Sequence, residues 1–349
     1  NTIGKIVYFS YFLKVFRIED LFFFETFVVL MMFKIFCIKI FMNEIFQKTI
    51  VKPFSFRGVG LHSGKTSSVK VLPAEANSGI NFVRVDLEKD NLIAANFRNV
   101  TSTQLCTVLK NKSGAHVSTV EHLMAALYIK GVDNARIEID NAEVPIMDGS
   151  SNDFINMIKK SGVKDQNVKR KFLKIIKEIS FTDKEKSISI LPNNFGLKVK
   201  YELNYKNKVI GNQKNQVEFF SQNLSEIYSS RTFCLYEDVE KMKKLGFAKG
   251  GSLQNAVVVK DDKILNDKGL RNKKEFVNHK ILDLSGDLYL SGYRILGEIK
   301  TKCGGHLINN SFLKKIFSDR NNYTIINFEN DEIIKKDVVF STRKIAVNA

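Results

Sequence analysis

From Gln47 onward the apolar residues change period again and again, so the chain must build both strands and helices in each of its parts. Residues 67–72 alternate apolar and polar side chains, and 79–85 and 135–139 are also extended in character. Between them, 118–129 carries Val120, Leu123, Met124 and Leu127 at helical spacing. A shorter helix is predicted over 154–160. The polar run SGVKDQNVKRK at 161–171 is nearly free of apolar residues and is read as a linker between two halves. Beyond it, 172–179, 187–191, 197–203 and 256–259 read as strands, and 224–228, 238–245 and 276–290 as helices. The fold class is therefore α+β, with strands and helices in both halves. The 349 residues suffice for two ordinary domains, and 44% hydrophobic content allows a packed core.

The first forty-five residues do not match this pattern. A Phe- and Ile-rich stretch at 21–41 has the length of a membrane span, but Glu25, Lys34 and Lys39 interrupt it. Three readings stand: translated sequence upstream of a natural start at Met42, an interfacial or spanning anchor, or an extra core helix.

The formal net charge is +17, and the first forty-five residues contribute only +1 of it, so +16 falls on the remainder. A basic surface attracts polyanions, nucleotide phosphates or an anionic membrane face. The basic residues are spread thinly and form no nucleic-acid-binding motif, which argues against nucleic acid as a partner. Cys37, Cys106, Cys234 and Cys303 form no C-x-x-C pair, which fits free thiols in a reducing compartment.

Chemistry has few places to reside, because there are only five histidines: His62, His116, His122, His279 and His306. If 279–287 is helical, His279, Asp283 and Asp287 share one face, and the first two can reach one metal ion. A surface His–Asp pair is the plainer reading of that spacing. Glu121 beside His122 suits a general base next to a metal ligand, yet Ser118 and Glu121 also spell a capping box that would only close the helix start. His306 follows Gly304 and Gly305, which places its ring on a loop, where a general acid, an oxyanion partner or a merely exposed side chain could sit.

Seven stretches in order carry a more specific signal: GVGLHSG at 58–64, STVEHLMAA at 118–126, EVPIMDGS at 143–150, SRTF at 230–233, GGSLQNA at 250–256, HKILDLSGDL at 279–288 and GHLINN at 305–310. Together they resemble the UDP-3-O-acyl-N-acetylglucosamine deacetylase family, over about residues 46–317. The resemblance implies two similar α+β domains of β-α-α-β sandwich type, 46–165 and 170–340, with the active site between them. It implies Zn2+ held by His122, His279 and Asp283, with water in the fourth position. Glu121 would then be the general base. His306 would steady the oxyanion and protonate the leaving amine, with Asp287 holding its ring, and Thr232 would hydrogen-bond the oxyanion. Phe233 and Lys280 would contact substrate, and His62 would stand near the site. Residues 234–264 would form an insertion shaping a passage for an acyl chain. Cys234 and Gly304 depart from the family pattern, where glycine and serine are expected.

The implied activity is removal of the N-acetyl group from a UDP-3-O-acyl-N-acetylglucosamine, the committed step of lipid A synthesis. The enzyme would be a cytoplasmic monomer, with possible association at the inner membrane face. The contrasting reading is a non-enzymatic membrane-peripheral binding protein. A complete Glu-His, His-x3-Asp and Gly-His set argues against it, because a binder needs no general base.

Overall fold

Residues 45–194, 196–220 and 222–327 are described by the structure, a computed structural model. The apolar N-terminal stretch and its three readings lie outside the described residues.

The first half runs β1 (Phe46–Ile50), β2 (Phe54–Val59), β3 (Thr66–Pro73), β4 (Ile80–Arg84), β5 (Leu92–Ala94), β6 (Val100–Ser102), β7 (Val108–Lys110), β8 (His116–Ser118), α1 (Glu121–Ile129), β9 (Ala135–Ile139), α2 (Asn152–Ser161) and β10 (Val163–Lys169). The second runs β11 (Lys171–Ile175), β12 (Ile179–Asp183), β13 (Lys186–Pro192), β14 (Leu197–Asn204), β15 (Asn212–Glu218), α3 (Ser225–Tyr228), β16 (Phe233–Leu235), α4 (Tyr236–Lys244), β17 (Val257–Lys260), β18 (Lys263–Ile264), α5 (Glu275–Tyr289), β19 (Arg294–Lys302), α6 (His306–Phe317) and β20 (Tyr323–Asn327). The class is α+β, as the alternating periods imply.

Each half has one principal sheet. In the first its order is β2-β3-β9-β4-β5, with β6-β7-β8 as a small separate sheet. In the second, β19 is the spine: it pairs with β11 near its start, and with β13 and β14 along Gly297–Lys302. Burial alternates where the sequence does. In β3, Ser67, Val69 and Val71 face inward while Thr66, Ser68 and Lys70 face out. In β14, Leu197, Val199, Tyr201 and Leu203 are buried on one face. Such a one-sided strand needs a helix layer against it. α5 packs on β14 and β15, α6 on β12 and β13, and α2 on β2.

The helix layers of the two halves meet through α1 and α5, which pack directly on each other. Both are buried nearly all round: every residue of α1 up to Tyr128, and all of α5 except Lys280. A helix with no solvent face lies between two layers rather than on a surface. The two come close at Gly286, where a Cβ would stand 2.1 Å from the Glu121 carbonyl oxygen.

Three expectations change. The polar run at 161–171, read as the linker between two halves, is not without regular structure: its Val163–Lys169 section is a strand paired antiparallel with β1. No side chain of β10 is fully buried, so no apolar alternation announces it. The strand exists because β1 offers it a hydrogen-bonding edge, and Gln166 reaches the Asn134 amide at 2.8 Å. Helix α1 starts at Glu121 rather than Ser118, which belongs to β8. And His306, whose ring was expected on a loop, opens the helix His306–Phe317. No helix among the described residues is long and apolar enough to cross a membrane. Among them Cys106, Cys234 and Cys303 are free thiols.

Candidate active site

The site lies where α1, α5 and the start of α6 converge. Thr119 takes a left-handed φ of 57°, which turns the chain from β8 into α1. The first two helical residues, Glu121 and His122, thereby enter the layer between the halves, 3% and 4% exposed. The capping box does not form. Ser118 Oγ donates to the Ala142 carbonyl, α1 has no side-chain cap, and Glu121 turns its carboxylate into the site.

On α5, His279 and Asp283 stand one turn apart, both buried. Nδ1 of His279 lies 3.0 Å from the Ser230 carbonyl oxygen. A carbonyl can only accept, so Nδ1 carries the proton and Nε2 presents a lone pair. Burial, reinforced by His122 and Lys280, drives the His279 pKa down to about 3 against the pull of Asp283, so the ring is neutral. Nε2 of His279 and Nε2 of His122 each lie 3.4 Å from Asp283 Oδ1. That oxygen is buried and has no hydrogen-bond partner among the described residues, while Oδ2 accepts from Lys280 Nζ at 2.8 Å. Burial pushes the Asp283 carboxyl up, but His279 and Lys280 outweigh it and hold the group well below the usual range. One ligand atom from each of the three residues lies within 4.8 Å of the others. Two nitrogens and a bare carboxylate oxygen, buried together, fit a divalent cation.

Beside this cluster stands a second group of charges. His306, the first residue of α6, is not an exposed loop histidine: its side chain is 10% exposed. Its Nδ1 lies 2.8 Å from Asp287 Oδ2 and its Nε2 3.8 Å from Glu121 Oε1. Burial alone would discharge the ring, but Asp287 and Glu121 raise its pKa to about 10, so it is an imidazolium at neutral pH. Burial raises the Glu121 carboxyl; His306 and His122 oppose the shift, Asp287 and Asp283 add to it. A carboxylate so placed can take a proton, and the imidazolium facing it can give one.

The remaining expected residues surround these. Phe233 lies with its ring 6.3 Å from that of His279, and Lys280 Nζ stands 5.6 Å from the Phe233 centroid. Thr232 is fixed by its backbone, donating to Gly149 and accepting from Val257. His62 is buried with its ring edge-on to Phe247; burial lowers its pKa, His306 and His122 adding to the effect.

Several working residues escaped the sequence reading. Thr107 donates its Oγ1 to Asp287 and its backbone N–H to Glu121. Asn309 Nδ2 donates to Asp287 Oδ2 at 2.8 Å. Glu143 accepts from the backbone of His62 and Ser63 and from Thr119 Oγ1, tying the glycine-rich turn to the entry of α1. The SRTF segment, mute as a sequence, is anchored by Arg231: its guanidinium and backbone N–H both reach the fully buried Glu275 at the head of α5. That ion pair sets the Ser230 carbonyl against His279.

A family profile described as UDP-3-O-acyl N-acetylglycosamine deacetylase matches residues 47–318. Among similar proteins, a UDP-3-O-acyl-N-acetylglucosamine deacetylase of Geobacter sp. (strain M21) is 42% identical over 285 residues, covering 81% of this chain and 93% of that protein. One of Pasteurella multocida (strain Pm70) is 39% identical over 291 residues, covering 82% and 95%. One of Glaesserella parasuis serovar 5 is 37% identical over 286 residues, covering 81% and 94%.

Proposed function

The chain belongs to the UDP-3-O-acyl N-acetylglycosamine deacetylase family, and on that premise we propose that it is a zinc-dependent, cytoplasmic hydrolase that removes the N-acetyl group from a UDP-3-O-acyl-N-acetylglucosamine, releasing acetate, the committed step of lipid A synthesis. The observation that carries the metal half of this reading is the buried Asp283 Oδ1, which has no hydrogen-bond partner among the described residues and faces two imidazole nitrogens. His122, His279 and Asp283 would hold Zn2+, which when bound polarises a carbonyl and lowers the pKa of a coordinated water.

The chain's own groups supply the proton transfers. Glu121 accepts a proton from the attacking water, its affinity for one raised by burial. His306, charged at neutral pH, stabilises the oxyanion and then donates its Nε2 proton to the leaving amine. Asp287 keeps the ring oriented through Nδ1. The Thr232 hydroxyl is the second oxyanion donor. Lys280, held beside Phe233, offers a cation to the substrate phosphates. The insertion of β16, α4, β17 and β18 gives the acyl chain its passage: Leu245 and Leu253 are exposed there, and Phe247 packs on His62.

The test separates metal from base. Glu121→Ala keeps its zinc and loses about a hundred- to ten-thousandfold in turnover of a UDP-3-O-acyl-N-acetylglucosamine, the usual range for a general base. His279→Ala loses zinc and activity together. Full zinc occupancy in His279→Ala, or a parental rate in Glu121→Ala, overturns the assignment.

A further inference from the structure

Thr107 joins the two acid–base groups across the halves of the molecule. It ends the loop between β6 and β7 and is 2% exposed. Its Oγ1 donates to Asp287 Oδ1 at 2.7 Å, and its backbone N–H donates to Glu121 Oε2 at 3.1 Å. The other oxygen of Asp287 is occupied by His306 Nδ1 and Asn309 Nδ2. Among the described residues Thr107 is therefore the one side chain holding Oδ1, the oxygen that must stay fixed if Oδ2 is to keep pointing at the imidazole. Glu121 is held in the same way: Oε2 is tied to Thr107, which leaves Oε1 facing His306 Nε2 at 3.8 Å. The loop that delivers Thr107 is itself constrained. β7 pairs with β8, Val108 opposite Ser118, so the loop's exit is hydrogen-bonded to the strand that leads into α1. Leu105 takes a left-handed φ of 64° within the loop.

We propose that Thr107 is a positioning residue for the deacetylation: its hydroxyl fixes the carboxylate that aims His306, and its N–H fixes Glu121, so one residue sets the separation of acid and base. This rests on the deacetylase reading. Thr107 is argued to act through Asp287 and Glu121, not by touching substrate.

The experiment compares full-length, zinc-loaded Thr107→Val, Thr107→Ser and parent. Valine keeps the shape and the N–H but removes the hydroxyl; serine restores it. Thr107→Val is expected to keep its zinc and its KM and to lose about ten- to a hundredfold in kcat, the scale typical of groups that orient reactive ones. Thr107→Ser recovers most of that loss. A second readout does not depend on turnover. The downfield Nδ1–H proton resonance of His306, assigned by its disappearance in His306→Gln, shifts in Thr107→Val and returns in Thr107→Ser, because Asp287 becomes a stronger acceptor once Oδ1 loses its donor. Should the valine variant fail to fold, Thr107→Ala carries the same comparison. A parental kcat with an unmoved resonance overturns the proposal. So does a raised KM at constant kcat, or a serine variant as impaired as valine. If the parent does not turn over the acylated UDP-sugar, the functional reading fails by itself, and the resonance still decides whether Thr107 orients the Asp287–His306 pair.

Discussion

At His306 two opposing effects can be weighed. Burial works against an imidazolium, yet Asp287 at 2.8 Å and Glu121 at 3.8 Å carry the pKa up to about 10. Because the folded value lies above the ordinary 6.5, the charged ring stabilises the fold fully below 6.5, and that contribution disappears as pH rises through about 10. The melting temperature of the parent should therefore exceed that of His306→Gln most strongly below 6.5, with the gap narrowing steadily toward 10. Turnover should fall on the same alkaline limb as the acid is lost. A gap constant over that range would mean that the ring is neutral when folded. The sequence made this histidine conspicuous, because only five occur, but its glycine neighbours suggested a loop. Glu121 was ambiguous in another way: a capping box and a Glu-His pair beside a metal share the same letters, and the direction of the Ser118 hydroxyl excludes the cap. Thr107 was illegible altogether, since a lone threonine acquires meaning only from a carboxylate 180 residues away.

At the scale of elements, the site depends on how closely α1 and α5 approach. The spacing of His279, Asp283 and Asp287 on α5 was readable from the helical period, as were β3 from alternation and β9 and β14 from their extended character. The crossing itself was not, because Gly286 looks like any helical glycine until Glu121 lies against it. A methyl group there would meet Glu121 O at 2.1 Å and its carbonyl carbon at 2.9 Å, both backbone atoms that no rotamer change can move aside. Gly286→Ala should force the helices apart and lower stability by at least the ~1–3 kcal/mol typical of overpacking. It should also lower zinc content, since His122 must stay 3.4 Å from Asp283 across that crossing. Denaturant midpoints and metal analysis test both parts, and a variant with parental values in each would show that the crossing has slack. Helix α6 escaped prediction for a related reason. Asn309 and Asn310 interrupt its apolar face, yet both are buried and bonded, one to Asp287 and the other to the Phe97 carbonyl. A strand such as β10, none of whose side chains is fully buried, leaves little apolar trace to read.

For the molecule as a whole, the halves are joined by more than apolar contact. Arg294 donates to the Tyr128 carbonyl, Tyr289 to that of Val132, and Thr107 to Asp287, each across the boundary. The proposed zinc would be a further link, taking His122 from one half and His279 and Asp283 from the other. Without a cation these ligands are buried acceptors pressed together, so metal removal should be felt by both halves at once. A ligand that binds only the folded state stabilises it by about 2.7 kcal/mol at a hundredfold excess over its Kd. Chelation should accordingly lower the melting temperature while leaving a single transition, with sheet and helix signals falling together. His279→Ala, already without zinc on this reading, should melt at one temperature with or without chelator. Two separated transitions after chelation would show that the metal, rather than the α1–α5 packing, couples the halves. An unchanged melting temperature after zinc has left would show that His122, His279 and Asp283 do not need a cation to sit where they do, and would count against the metal assignment.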